Sequence, residues 1–269
     1  MPAPGAGDIR LVVTDMDGTL LDADGAVPAS FWPVLERMRA ASVTFVPASG
    51  RQYATLARDF AGEGLAIIAE NGGLVMRDGV EVASRTLDAG SARGIIGQIR
   101  ALPPEEYDLG IVLCGKSSAY IERIEPVFVD QANTYYAQLS EVPDLLAVED
   151  EILKIAVFDL KRHAQRVAPA LEAIAPGNRV VVSGPQWVDI MRPDVNKGLA
   201  LDDLQAALGV TPAQTVVFGD YLNDLEMMSR AEHSYAMANA HPDILAAARH
   251  WAPSNAENGV VSTLERLLG

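Results

Sequence analysis

Short apolar runs alternate with stretches of helical spacing along this chain, and each run stops abruptly in a polar cluster. Residues 9–13 form a short run that is apolar apart from Arg10 and leads at once into Thr14-Asp15-Met16-Asp17-Gly18-Thr19, the pattern of a buried strand ending in a turn. Phe31, Val34, Leu35 and Met38 then recur at helical spacing, with Ser30 placed to cap their helix. Residues 43–47 form a second run closed by Ala48-Ser49-Gly50-Arg51, and Tyr53, Leu56, Ala57 and Phe60 mark a second helix. A third run, 65–69, stops at Glu70-Asn71-Gly72-Gly73. This β-α-β-α-β order predicts a parallel sheet with right-handed crossovers.

The middle of the chain reads differently. Arg77-Asp78-Gly79 is a hairpin signal within 74–82. Between 86 and 191, strands near 109–114, 152–160, 179–183 and 187–191 mix with helices near 90–102, 125–137 and 163–175, and Leu102-Pro103-Pro104 breaks the pattern. The alternation resumes at Lys197. Leu201, Leu204 and Leu208 share a helical face, Gly209 suits its C-terminal cap, and a strand over 215–218 ends in Gly219-Asp220. The expected fold is therefore an α/β domain split in sequence, 1–85 and 192–269, with an α+β module of residues 86–191 set into it.

Bulk properties exclude several classes. The formal net charge of −15 repels nucleic acid and anionic membranes at long range, and no apolar run approaches the ~20 residues that span a bilayer. The start of the chain has neither the basic nor the apolar segment of a signal peptide. The single cysteine, Cys114, lies in an apolar run and reads as a small buried hydrophobe. A reducing, cytoplasmic setting is expected. The four histidines, at 163, 233, 241 and 250, match no metal or triad spacing and read as structural, with His163 and His241 at helix starts.

Ligands of open parallel sheets bind beyond the carboxyl ends of the strands, where this chain concentrates its polar clusters. Asp15 and Asp17 would repel each other unless a hard cation relieved them. An ionised Asp beside such a cation is a competent nucleophile on phosphorus, and a second Asp can exchange protons with the leaving group and with water. Gly18 allows a sharp turn, and Thr19 is placed to bond local backbone. Ser49, Gly50 and Arg51 offer a hydroxyl, an open N–H and a guanidinium near a helix start, an anion-binding arrangement. Lys197 is one of only four lysines. It sits where a helix begins, an unfavourable place for a cation without a reason, and can neutralise a transferring phosphoryl group. Asp220, Asn223 and Asp224 bring metal-friendly oxygens onto one side of a turn. Each cluster alone also has a bland reading, as a polar turn or a helix cap; their convergence at strand ends is the signal.

These residues resemble the haloacid dehalogenase superfamily of phosphotransferases. Asp15-Met16-Asp17-Gly18-Thr19-Leu20-Leu21 looks like its first motif, Ser49 its second, Lys197 its third and Gly219-Asp220-x-x-Asn223-Asp224 its fourth. The Cof-like branch, which includes many sugar phosphatases, also shows Ser-Gly-Arg, Glu-Asn-Gly-Gly (here Glu70 to Gly73), Asn-Ala (Asn239-Ala240) and Asn-Gly-Val (Asn258-Gly259-Val260). The resemblance implies a Rossmann-like parallel core with an inserted cap whose residues set specificity. It implies Asp15 as nucleophile and Asp17 as general acid/base. Mg²⁺ would be held by Asp15, the Asp17 carbonyl and Asp220, supported by Asn223 or Asp224. Ser49, Gly50 and Lys197 would bind the phosphoryl group, with Arg51 reaching the substrate. Tyr221 and Leu222 stand where many relatives carry small or polar residues, and Tyr221 reads as a packing residue.

The resulting expectation is a Mg²⁺-dependent phosphatase acting on a small phosphorylated metabolite. A phosphomutase, a receiver-type signalling module and a non-catalytic phosphate- or metal-binding protein stay open on the sequence. Among substrates, hexose phosphates, flavin mononucleotide, pyridoxal phosphate and nucleotides are equally open, with Tyr135, Tyr136 and Trp187 as candidates to contact a flat ring. Oligomeric state is not readable.

Overall fold

The computed structural model describes residues 9–60, 64–161 and 164–269, so the reading of His163 lies outside the described residues. The first stretch of chain runs β1 (Leu11–Thr14), α1 (Phe31–Ala40), β2 (Thr44–Pro47), α2 (Tyr53–Asp59), β3 (Ile67–Ala69), β4 (Leu74–Arg77) and β5 (Val80–Ser84). The second runs α3 (Ala89–Arg100), β6 (Leu109–Gly115), β7 (Ala119–Ile121), α4 (Pro126–Tyr135), β8 (Leu139–Glu141), β9 (Ile152–Asp159), α5 (Ala164–Ile174), β10 (Arg179–Val182) and β11 (Trp187–Met191). The third runs α6 (Lys197–Leu208), β12 (Thr215–Gly219), α7 (Leu225–Met228), β13 (His233–Met237), α8 (Pro242–Ala247), β14 (His250–Ala252) and α9 (Gly259–Leu268). The chain divides into two compact units, one built from both ends of the chain (through Ala83 and from Asn196) and one spanning Ser84–Val195.

The first unit is a parallel sheet in the order β14-β13-β12-β1-β2. A parallel bridge from Ala48 to Ile68 brings β3 alongside β2, and β3 then pairs antiparallel with β4. The chain thus proceeds outward from β1 in one direction and, after the insertion, outward from β12 in the other. β1 and β12 flank the point at which strand order reverses, where open α/β sheets place their ligands. Every residue of β1 is buried, as a strand covered on both faces requires, which explains its continuous apolar run. On α1, Phe31, Val34, Leu35 and Met38 are buried, and Phe31 meets Phe45 of β2 with ring centroids 4.7 Å apart.

Ser30 is not the cap its position suggested. Its backbone is already helical (φ −66°, ψ −17°) and its side chain makes no capping bond; a cap accepts from the second or third helical N–H, and the third residue here, Pro33, has none. At α6, Asn196 Oδ1 accepts from Leu199 N–H at 2.8 Å, and the helix ends on Gly209 at φ 65°, a left-handed C-terminal residue in which glycine carries no steric penalty.

The second unit is a sheet in the order β10-β11-β9-β6-β7-β8, antiparallel except for the β7–β8 pair. Alternation along the central strand β9 divides two interiors. Ile155 and Val157 join the side chains of α3 and α5, whereas Ala156 and Phe158 join Phe128 of α4, Cys114, Tyr136 and Trp187. Cys114 is buried there, as its apolar surroundings in sequence indicated. The aromatic residues singled out as candidate ring contacts lie together, with Tyr135 exposed. Trp187 lies 4.9 Å from Phe158, 5.6 Å from Tyr135 and 6.4 Å from Tyr136 between ring centroids, and both Trp187 and Tyr136 are interior. No helix among the described residues is long and apolar enough to cross a membrane.

Candidate active site

Asp15 follows β1 directly, and its N–H donates to Phe218 O of β12 at 3.0 Å, so the nucleophile candidate is pinned to both strands at the switch point. The chain then closes a single turn over Met16–Leu20, with Leu21 N–H on Met16 O at 2.9 Å. Gly18 adopts φ 81° within it, and a Cβ there would fall 2.3 Å from Asp220 Oδ2. Glycine is required twice over at this position, for the left-handed backbone and for the approach of the Asp220 carboxylate.

Lys197 enters from the first residue of α6 and is fully buried. Its ammonium donates to Asp15 Oδ1 at 2.5 Å and to Asp224 Oδ1 at 2.7 Å. The reading of Lys197 as a solvated side chain at a helix start is thereby excluded. Asp224, also fully buried, accepts on its second oxygen from the N–H groups of Asp220 (3.0 Å) and Tyr221 (3.3 Å), which folds the loop after β12 around its carboxylate. Asp220 Oδ1 accepts from Thr19 Oγ1 at 3.2 Å. Thr19 therefore spends its hydroxyl on a residue 201 positions away, not on local backbone as its position in a turn suggested.

The electrostatics of this cluster are lopsided. One carboxylate oxygen from each of Asp15, Asp220 and Asp224 lies within 4.8 Å of the others, against the single ammonium of Lys197. Burial, then the Asp224 charge, pushes Asp15 up to about 8 despite Lys197, and burial and Asp224 raise Asp220 to about 6. Lys197 is held protonated the other way: burial works against its charge, but Asp15 and Asp224 override it and raise its pKa. Crowded, buried, hard oxygen donors with excess negative charge are what a small divalent cation stabilises. The donor set fits such an ion.

Asp17 and Arg51 occupy a separate position. The Asp17 side chain is 61% exposed and stands outside the acidic cluster. Arg51 clamps it with two bonds, Nη2 to Oδ1 at 2.6 Å and Nε to Oδ2 at 2.9 Å, and reaches Asp59 at 3.4 Å. Burial disfavours the guanidinium charge, but Asp17 outweighs it and raises the Arg51 pKa. Ser49 is buried, and its Oγ accepts from Arg51 N–H at 3.2 Å. Asn223 Nδ2 donates to Asn71 Oδ1 at 3.1 Å. The Asp224 carboxylate stands with those of Asp15 and Asp220. Tyr221 is exposed, its ring edge-on to His241 at 5.8 Å, and does not pack into the interior. His241 itself caps α8, Nδ1 accepting from Asp243 N–H at 3.2 Å.

Two site neighbours escaped sequence reasoning. Asn71 lies against Gly50 and Asn223. Asn239 donates to Gly18 O at 2.8 Å and accepts from Asn255 N–H at 3.2 Å, bracing the Asp17–Gly18 turn from the far end of the chain. The available signal was the presence of both residues in short Asn-containing motifs, which carried no indication of a partner.

The haloacid dehalogenase-like hydrolase family matches residues 12–264. The chain is 34% identical to the 5-amino-6-(5-phospho-D-ribitylamino)uracil phosphatase YbjI of Escherichia coli over 97% of this chain and 96% of that protein. Its fold is similar to a haloacid dehalogenase-like hydrolase from Bacteroides thetaiotaomicron (TM-score 0.85, 23% identity, 96% of this chain and 99% of that one). It is also similar to a HAD subclass IIB sugar phosphatase (TM-score 0.79, 17% identity, 96% and 98%). The chain belongs to the haloacid dehalogenase-like hydrolases and is a phosphoric monoester hydrolase of that family.

Proposed function

We propose that this enzyme hydrolyses a small phosphorylated metabolite by passing the phosphoryl group through Asp15. The observation that carries the reading is the Asp15 carboxylate held at 2.5 Å by a fully buried lysine at the switch point of the parallel sheet. In the first step an Asp15 oxygen bonds to phosphorus as the ester oxygen departs, taking a proton from Asp17. In the second, water attacks the aspartyl-phosphate while Asp17 takes its proton, releasing phosphate and restoring both carboxyl groups. Lys197 offsets charge on Asp15 and on the transferring oxygens. Ser49 and the Gly50 backbone serve the phosphoryl group. The Arg51 clamp holds Asp17 aside from the acidic cluster, so Asp17 exchanges that partner for the ester oxygen when substrate binds. Mg²⁺ would be held by Asp15, the Asp17 carbonyl and Asp220, with Asp224 in support, and would supply positive charge to the phosphoryl oxygens.

We assign this chemistry to the unit built from both chain ends and substrate selection to the Ser84–Val195 unit. The substrate class we favour is a phosphorylated sugar or sugar alcohol, free or attached to a pyrimidine, because the similar Escherichia coli protein is named for a phosphoribitylaminouracil. The net charge of −15 supports a small-molecule substrate over nucleic acid, and the lone cysteine supports a cytoplasmic setting. The test is phosphate release from hexose phosphates, phosphoribityl pyrimidines, flavin mononucleotide, pyridoxal phosphate and nucleotides, with Mg²⁺ and with EDTA, for wild type and Asp15→Asn. Release that requires both the metal and Asp15 is expected. Isomerisation of a sugar phosphate without phosphate release would make the enzyme a mutase.

A further inference from the structure

We propose that Asn71 is a positioning residue for phosphoryl binding, the centre of a turn that ties together three loops of the site. The inference rests on the proposed function above. Glu70, Asn71 and Gly72 follow β3 with φ of 51°, 56° and 95°. Left-handed backbone at successive residues, two of them not glycine, is uncommon and persists only where surrounding structure imposes it. The surroundings here are the loops that present the candidate site residues.

The first loop is Ser49–Arg51. Asn71 N–H donates to Ser49 O at 2.9 Å, and Glu70 N–H donates to Arg51 O at 3.1 Å, so the turn holds that loop by its backbone at both ends. The Asn71 amide also fills the space over Gly50, where a Cβ would sit 3.0 Å from Nδ2. The second loop is the one after β12. Asn71 Oδ1 accepts from Asn223 Nδ2 at 3.1 Å, and Asn223 precedes Asp224, the residue that takes one bond of the Lys197 ammonium. The third is the start of α6. Gly72 lies so close to Asn196 that a Cβ there would meet Asn196 O at 2.4 Å, one residue before Lys197. One side chain and two neighbouring backbones thus set the spacing between Ser49–Gly50, Lys197 and Asn223–Asp224, the groups assigned to the phosphoryl oxygens and to the acidic cluster.

Asn is suited to this position. It tolerates the left-handed conformation better than other side chains with a Cβ, and its amide accepts from Asn223 while its flat face covers Gly50. Asn71→Gly preserves the backbone preference and removes the amide, so it separates positioning from folding; Asn71→Ala removes both.

The measurements are the dissociation constant of inorganic phosphate, by titration calorimetry in Mg²⁺, and kcat and KM on the most active ester of the panel. Both are made for wild type, Asn71→Gly, Asn223→Ala and the double variant. Loss of one hydrogen bond corresponds to weakening of about 5- to 10-fold. Asn71→Gly should weaken phosphate by that factor and raise KM in parallel, with kcat changed less than about threefold and thermal midpoint retained. The double variant should be no worse than Asn71→Gly alone, since Asn223 acts through its contact with the Asn71 amide. Phosphate affinity and KM of Asn71→Gly equal to wild type, additive effects in the double variant, or no phosphate binding by wild type would each overturn the inference. Retained turnover in Asp15→Asn would instead sink the nucleophile assignment and leave the phosphate measurements standing.

Discussion

Two of the four lysines are buried, one in each unit, and they are buried in opposite ways. In the second unit Lys154 of β9 meets Asp189 of β11 at 3.2 Å, with both side chains almost wholly enclosed. In the first, Lys197 meets Asp15 and Asp224 with Asp220 close by. At Lys154 the described ion pair joins neighbouring strands of the sheet. At Lys197 one cation faces three carboxylates, and burial first, then the Asp224 charge, raises the pKa values of Asp15 and Asp220. A matched buried pair is a structural feature whose stability is roughly balanced against the cost of desolvation. A mismatched cluster at a strand end is costly in itself and implies a missing positive group or a reacting one.

The largest expected effect separates them by activity. Lys197→Met should lower kcat by about 10²- to 10³-fold, the usual cost of removing one group that stabilises developing charge, and Mg²⁺ should not restore it. Lys154→Met should leave kcat within about twofold. Steady-state assays of both variants on one ester check this, and a Lys154→Met loss as large as that of Lys197→Met would end the distinction.

Stability should separate them in the other direction. Lys154→Met strands Asp189 in an apolar sheet and should cost about 3–5 kcal/mol in urea unfolding, whereas Lys154→Met with Asp189→Leu should recover most of it. If the double variant is as unstable as the single one, the pair does more than balance charge.

A smaller effect concerns how the cluster is held. Thr19→Val removes the hydroxyl on Asp220 while keeping its shape. One hydrogen bond to a charged group is worth about 1.5–3 kcal/mol at most, and part of that is returned by water at this half-buried carboxylate. The Mg²⁺ concentration for half-maximal activity should rise by several fold, with kcat at saturating Mg²⁺ nearly unchanged. An unchanged Mg²⁺ requirement would mean that Thr19 does not orient Asp220.

Much of this comparison was legible in the sequence for identifiable reasons. Strand ends could be read because apolar runs stop sharply at Thr14, Ala48 and Gly219, and Lys197 stood out because lysine is rare in the chain. The partners could not be read. Thr19 reaches Asp220, Asn223 reaches Asn71 and Asn239 reaches Gly18 across sequence separations of 201, 152 and 221, and only the closed sheet brings them together. β7 and β8, three residues each, are too short for periodicity to register. Ser30 misled because a Ser before an apolar helical face has the signature of a cap, whereas its backbone is already helical and Pro33 offers no N–H at the third helical position.

The smallest expected effect is a pH dependence. Asp15 and Asp220 have folded-state pKa values of about 8 and about 6, above the ordinary carboxylate range near 4. Between pH 4 and 8 the folded, metal-free protein therefore binds more protons at these groups than the unfolded chain does. By linkage their contribution to stability falls as pH rises through that window. Mg²⁺ replaces those protons and should abolish the loss. His250 acts in the opposite sense, since burial first and neighbouring charges second lower its pKa, so its contribution to stability improves as pH rises. The absolute thermal midpoint mixes the two. The difference between midpoints with and without saturating Mg²⁺ cancels His250, which lies outside the acidic cluster. That difference should widen by a few degrees from pH 5.5 to pH 8 for a protein of this size, and it should stay flat in Asp15→Asn with Asp220→Asn. A wild-type difference that is flat or narrows with pH would mean that the three carboxylates are not where Mg²⁺ exerts its stabilising charge, and the lopsided count around Lys197 would need another explanation.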